Sequence, residues 1–160
     1  MHRVSQFVSH LTARVSAEEE AAAHRVLPPS AWSLFDGMPV ADRRHGLDVV
    51  ARLLARGVDD RDVLAAALLH DAAKGSRLRI WHRVAGVLLE AFAPGKLARL
   101  AGRDPRATNA WHLYLHHAQL SADAAQQAGL SERASAFISG GVTEADMQMA
   151  AALHAADEAS

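Results

Sequence analysis

Apolar residues recur at helical spacing along most of the 160-residue chain, and glycine, proline and capping residues interrupt this pattern at short intervals. The pattern predicts helices over residues 4–15, 16–27, 30–36, 41–56, 60–74, 77–92, 96–101, 105–117, 119–128, 131–139 and 143–160. The predicted helices before Met38 are short and precede the main run of helices. We therefore expect a short N-terminal helical extension over 1–38 and a main domain over 39–160.

Candidate caps indicate where several helices begin. Ser16 with Glu19 three residues later is the pattern of a capping box. Asp60, or Asp59 before it, can cap the helix that follows, because an aspartate side chain accepts hydrogen bonds from the first free backbone N–H groups. The remaining start signals are Ser131 with Glu132 and Thr143 with Asp146.

Composition supports a helical fold. The chain has 35 alanines against two isoleucines and eight aromatic residues. Alanine is the best helix former, whereas β-branched and aromatic residues favour strands. With 50% hydrophobic and 22% charged residues, the chain is typical of a globular protein, and its length suits one hydrophobic core. We expect an all-α, single-domain helical bundle.

Charge and cysteine content exclude several classes of function. Seventeen basic and 18 acidic residues give a net charge of −1, so we expect no nucleic-acid partner. The absence of cysteine excludes disulfides, thiolate nucleophiles and cysteine zinc sites. The longest apolar run has seven residues, whereas a membrane span needs about 20. Because the N-terminus also lacks the apolar stretch of a secretory signal, we expect a cytoplasmic protein without a membrane partner.

The most informative segment lies at the end of the predicted helix 60–74. On a helical wheel, His70, Asp71 and Lys74 share the face that carries the apolar residues. Inward polar groups must find partners, because an unpaired buried charge is very costly. A metal ion is one such partner, since imidazole and carboxylate are both ligands. The alternatives are a hydrogen-bonded core histidine at position 70 and an Asp71–Lys74 ion pair at the helix end.

Two further helices carry inward polar residues. His45 lies one turn before Val49, at the edge of an apolar face, and Asp157 lies one turn after Leu153 on a stripe of alanine, methionine and leucine. A carboxylate on such a stripe needs a partner. Three helices therefore contribute a set of two histidines and two aspartates: His45, His70, Asp71 and Asp157.

These four side chains occur in the order His, His-Asp, Asp, and three segments accompany them: LLHDAAKG at 68–75, HAQLSAD at 117–123 and LHAAD at 153–157. The arrangement resembles the signature of the HD-domain superfamily of metal-dependent phosphohydrolases. The first segment is similar to that family's LLHDIGK stretch and the second to its HPExGAE segment. The resemblance covers about residues 40–160, and it is to small stand-alone bacterial members with no assigned activity.

The resemblance implies an HD-type helical bundle in which His45, His70, Asp71 and Asp157 hold a divalent metal ion. Manganese, magnesium, iron, nickel and zinc all suit these ligands. The metal would activate a water as nucleophile and polarise a phosphoryl oxygen, with Asp71 and Lys74 as catalytic residues. The residues implied to bind substrate are Lys74, His117 and Arg77. Lys74 would contact phosphate as a point charge.

The chain departs from the family pattern after the second segment. Residues 137–142 read FISGGV, where many relatives carry additional histidines, and the proline and glutamate of HPE are Ala118 and Gln119 here. A second metal is therefore poorly supported. His112 and His116, four residues apart on one helix, form another candidate pair, for which surface or packing roles are the alternative.

Three hypotheses follow from the sequence. The first is a metal-dependent phosphohydrolase that acts on a phosphomonoester or nucleotide, so that a small phosphorylated molecule is the expected partner. The second is a catalytically degenerate HD domain that serves as a metal-bound small-ligand sensor or binding module. The third is a helical scaffold whose inward polar residues pair only with one another.

Overall fold

The computed structural model describes residues 15–74, 89, 91–102 and 110–160. Within these ranges every regular element is helical, which confirms the all-α class. The helices are α1 (Ala17–Val26), α2 (Pro29–Asp36), α3 (Val40–Ala55), α4 (Arg61–Leu69), α5 (Pro94–Ala101), α6 (Ala110–Gln127), α7 (Glu132–Ser139) and α8 (Met147–Glu158), with a 3-10 turn at Glu144–Asp146 before α8. The predicted helices at 4–15 and 77–92 and the predicted start at 105 lie wholly or largely outside the described residues.

Side-chain caps begin three helices where the sequence predicted them. Ser16 and Glu19 form a complete capping box at α1. At α4, the Asp60 carboxylate accepts hydrogen bonds from the backbone N–H groups of residues 62 and 63, and at α7 the Ser131 hydroxyl accepts one from Ala134. The start of α8 differs, because the Thr143 hydroxyl donates to the Asp146 side chain and caps no backbone group.

Helix α4 lies at the centre of the bundle. Every residue from Val63 to Leu69 is buried, and α1, α2, α3, α6, α7 and α8 all contact this helix. A helix that is apolar all round belongs in a core. The sequence analysis placed the apolar residues of this helix on one face, whereas the structure buries residues on all of its faces. Since α4 ends directly before His70, its central position brings neighbouring helices close to that residue.

The predicted end of α4 at Lys74 is wrong. The helix ends at Leu69, and residues 70–74 form a tight turn in which Ala72 N–H bonds to the Leu69 carbonyl at 3.0 Å. The backbone N–H of Ala73 donates to the buried Ser121 hydroxyl of α6 at 3.0 Å. A helical hydrogen bond to the Leu69 carbonyl is replaced by this contact. The turn therefore packs against α6.

The predicted break between helices 105–117 and 119–128 is also wrong, because α6 is continuous through this region. Position 118 carries alanine where the HPE pattern has proline, so nothing interrupts the backbone hydrogen bonds. Gln119 donates to Asp123 one turn later at 2.8 Å, a contact that supports the helix.

The described part of the predicted N-terminal extension packs into the same hydrophobic core as α4. Its buried residues are Ala23, Leu27, Ala31, Phe35 and Met38. Ion pairs join α1 and α2 to α3: Arg44 contacts Glu19, and Arg43 contacts Asp36 at 2.9 Å. The division at residue 38 remains a prediction. None of the described helices combines the length and the apolar character that crossing a membrane requires.

Candidate metal centre

Three side chains from three helices meet at the end of α4. His45 comes from α3, His70 follows the last residue of α4, and Asp157 comes from α8. The Nε2 atom of His45 lies 2.7 Å from Asp157 Oδ1, and the Nε2 atom of His70 lies 3.4 Å from the same oxygen. The two imidazole rings meet edge to face, with centroids 5.2 Å apart. Residues far apart in the sequence thus present their ligand atoms to one another.

The spacing of these atoms fits a single cation. One nitrogen or oxygen atom from each of His45, His70 and Asp157 lies within 4.8 Å of the other two. Ligand atoms bound to one ion at about 2.1 Å, with angles of 90–110°, lie roughly 3.0–3.4 Å apart. Small side-chain rotations therefore suffice to bind an ion. Among the residues that the structure describes, this is the one group with a metal-capable arrangement.

The orientation of His70 also fits metal binding. Its Nδ1 lies 2.9 Å from the backbone carbonyl of Ala67, and because a carbonyl only accepts, Nδ1 carries the proton. Nε2 is thereby directed at two carboxylate oxygens, at 3.4 Å from Asp157 and 3.5 Å from Asp71. Either a second proton or a cation must separate this nitrogen from the two acceptors. A backbone carbonyl that orients a ligating imidazole is a common feature of metal sites.

The shifted pKa values of His70 and Asp157 are also consistent with a cation site. Burial lowers the pKa of His70, but the hydrogen bond to Asp157 and the charges of Asp71 and Asp157 outweigh it, so the pKa is raised above its ordinary value. Burial raises the pKa of Asp157, but hydrogen bonds to His45 and His70 outweigh it and hold that pKa far below its usual range. The site is therefore built to hold positive charge beside an ionised carboxylate.

Asp71, the fourth predicted ligand, is not within the three-residue group. It is 3% exposed, and one of its oxygens contacts the ammonium group of Lys74 as well as lying 3.5 Å from His70 Nε2. Burial raises the pKa of Asp71, but the charges of His70 and Lys74 outweigh it and the pKa is lowered. The structure thus forms the Asp71–Lys74 ion pair that the sequence offered as an alternative. Ligation by Asp71 remains a prediction.

The predicted substrate-binding residues divide into two cases. His117 lies on α6. Burial lowers the pKa of His117, and the positive charge of the nearby Lys74 lowers it further. Its Nδ1 donates to the Tyr114 carbonyl at 2.9 Å, which leaves Nε2 as an acceptor. Arg77 lies outside the described residues. Its role remains a prediction.

The second histidine pair, His112 and His116, is adjacent on α6 with ring centroids 4.5 Å apart. His112 is buried and His116 is exposed. Among the described residues, no third ligand joins them in a metal-capable group. This geometry favours the packing role that the sequence offered as the alternative.

Sequence reasoning missed two groups that shape the site. The Ser121 hydroxyl fixes the turn that carries Asp71 and Lys74, and the Ala67 carbonyl orients His70. A backbone carbonyl leaves no residue-type signal. Ser121 is a polar residue four positions after His117, so helical spacing places both residues on one face of α6. This spacing is the one sequence signal that could have indicated a role for Ser121 at the site.

Comparison of the chain with protein-family models, with curated proteins and with solved structures finds no match. The resemblance to the HD-domain superfamily therefore remains a prediction from the sequence motifs.

Proposed function

We propose that the protein is an HD-type metal-dependent phosphohydrolase acting on a phosphomonoester or nucleotide. The observation that carries the proposal is the convergence of His45, His70 and Asp157, each of which offers one ligand atom within 4.8 Å of those of the other two. Imidazole nitrogen with carboxylate oxygen is a ligand set that suits manganese, iron, nickel and zinc, and magnesium less well because it prefers oxygen ligands. A bound divalent cation would supply Lewis-acid catalysis, because it lowers the pKa of a water molecule and polarises a phosphoryl oxygen.

The charge of the site explains why an anionic substrate is favoured. With neutral histidines, the carboxylates of Asp71 and Asp157 and the ammonium group of Lys74 give a net charge of −1. A divalent cation changes this to +1. The loaded site would then attract a phosphoryl group, whereas the metal-free site would repel it.

The chain's own residues have distinct roles in this proposal. His45, His70 and Asp157 hold the metal ion, and the Ala67 carbonyl fixes the tautomer of His70. Asp71 holds Lys74 at the edge of the site, where the ammonium group can contact a phosphate oxygen once substrate arrives. His117 lies within electrostatic range of Lys74 and Asp71, and its unprotonated Nε2 suits a hydrogen-bond acceptor for substrate or water.

The proposal is tested by hydrolysis of p-nitrophenyl phosphate and a nucleotide panel in the presence of Mn²⁺. We compare wild type with the His70→Ala/Asp71→Ala double variant and with His154→Ala. His154 is a matched control because it is an exposed histidine on α8. We expect metal-dependent release of phosphate from wild type and from His154→Ala, and none from the double variant. Equal rates in wild type and the double variant would refute a phosphohydrolase.

A second candidate function has one observation in its favour. Lys74, the residue assigned to phosphate, is engaged by Asp71 and is only 18% exposed at its side chain. A lysine held in this way suits a metal-bound sensor or binding module that lacks turnover. Stoichiometric Mn²⁺ binding and nucleotide binding by calorimetry, without hydrolysis of any panel member, would favour this second function over the first.

A further inference from the structure

Gly46 lies in the interior of α3, directly after His45. Its backbone is not in the positive-φ conformation, which Gly57, Gly102, Gly129 and Gly140 adopt. The helix therefore does not need glycine at this position for its conformation, and alanine would stabilise the helix better. A different requirement must account for the residue.

The requirement is space next to α4. A Cβ atom at position 46 would lie 3.1 Å from the carbonyl oxygen of Ala67, and 3.2 Å from both the Cα and the carbonyl oxygen of Leu68. All three are backbone atoms, so no side chain can rotate away. Because α4 is packed on all sides, its backbone has little freedom to yield. An added methyl group would instead push α3 outward by a few tenths of an ångström.

This contact involves both histidines of the metal centre. The Ala67 oxygen that Gly46 approaches is the oxygen that accepts the hydrogen bond from His70 Nδ1. His45 is the immediate neighbour of Gly46 on α3. A methyl group at this contact would therefore move His45 relative to His70 and disturb the orientation of the His70 ring.

We propose that Gly46 is a positioning residue that sets the separation of His45 and His70 by letting the α3 backbone rest on the Ala67 and Leu68 carbonyls. The consequence for metal affinity rests on the proposed function, whereas the consequence for histidine spacing does not. The test uses Gly46→Ala with two controls. Gly95→Ala adds a methyl group to a helical glycine that meets no atom, and Leu53→Ala removes a fully buried side chain elsewhere on α3.

Two measurements are made on each full-length protein. The first is the proton Overhauser contact between the His45 and His70 rings in metal-free protein. The second is the Kd for Co²⁺, followed by visible absorption, which reports the coordination geometry. We expect Gly46→Ala to unfold cooperatively, to lose intensity in the inter-ring contact, and to bind Co²⁺ roughly 10–100-fold more weakly, as is usual for groups that orient ligands. Both controls should keep the wild-type inter-ring contact and Co²⁺ affinity.

Three results would overturn the proposal: an unchanged inter-ring contact in Gly46→Ala, an equal loss of Co²⁺ affinity in Leu53→Ala, or failure of Gly46→Ala to fold, which would make the glycine a requirement of the fold. Loss of the inter-ring contact in Gly46→Ala, together with no Co²⁺ binding by wild type, would support the positioning role and refute the metal site.

Discussion

Asp157 is the residue through which the proposed metal site is tested most sharply. Its Oδ1 atom is the point that His45 and His70 share, at 2.7 and 3.4 Å. Asp157→Asn keeps the size of the side chain and removes the negative charge. Glu158→Gln makes the same chemical change at the adjacent residue, whose carboxylate is exposed and lies 3.5 Å from His154. Comparison of the two variants distinguishes a role of Asp157 in the site from a general effect of negative charge on α8.

The expected effect follows from ligand linkage. At free Mn²⁺ about 100 times the Kd, binding to the native state alone adds about 2.7 kcal/mol of stability. In a chain of this size 1 kcal/mol changes Tm by about 2–4 °C, so the wild-type Tm should rise by roughly 5–11 °C. If Asp157→Asn weakens binding about 100-fold, the same Mn²⁺ adds only about 0.4 kcal/mol and raises Tm by roughly 1–2 °C.

The assay is thermal unfolding by circular dichroism, with and without Mn²⁺, for wild type and both variants. The rise in Tm should persist in Glu158→Gln and nearly vanish in Asp157→Asn. Each variant is compared with its own metal-free Tm, so that a loss of intrinsic stability does not affect the result. Rises of equal size in wild type and Asp157→Asn would show that this carboxylate is not a ligand.

Two further predictions concern the metal-free protein. The raised pKa of His70 contributes stability that is complete below about pH 6.5 and is lost as the pH rises through the folded-state pKa. The lowered pKa of Asp157 contributes stability that is complete above about pH 3.9 and is lost on acidification. Urea unfolding across pH should therefore show stability falling on both sides of this window. The fall on the alkaline side should be shallower in Asp157→Asn, which loses the hydrogen bond and the charge of Asp157 but keeps the charge of Asp71. A wild-type alkaline limb that stays flat would contradict the pairing of His70. Ser121→Ala should lower stability by about 1–3 kcal/mol, because the Ala73 N–H loses its acceptor; an unchanged urea midpoint would show that this hydrogen bond does not hold the turn.

Much of the fold was predictable because its determinants are local. The capping box at Ser16 and the Asp60 cap depend on residues within one helical turn, and both occur where the sequence indicates them. His45 and Asp157 were identifiable for a similar reason, since each is a polar side chain on an otherwise apolar stripe. The structure brings both of them to His70.

The features that sequence reasoning missed depend on contacts between distant residues. Helix α4 ends early because Ser121, 48 positions away from Ala73, binds a backbone N–H that a longer helix would use. The Asp71–Lys74 ion pair was one of two alternatives from the sequence, and helical spacing alone could not decide between it and metal ligation. The close approach at Gly46 likewise depends on how α3 packs against α4, which helical periodicity alone does not specify.

The most direct measurement of the central claim is anomalous X-ray diffraction from a crystal grown with Mn²⁺. The account predicts one strong peak within bonding distance of His45 Nε2, His70 Nε2 and Asp157 Oδ1, and its absence from crystals of Asp157→Asn. A peak at His112 and His116 alone, or no peak beside His70, would contradict the account.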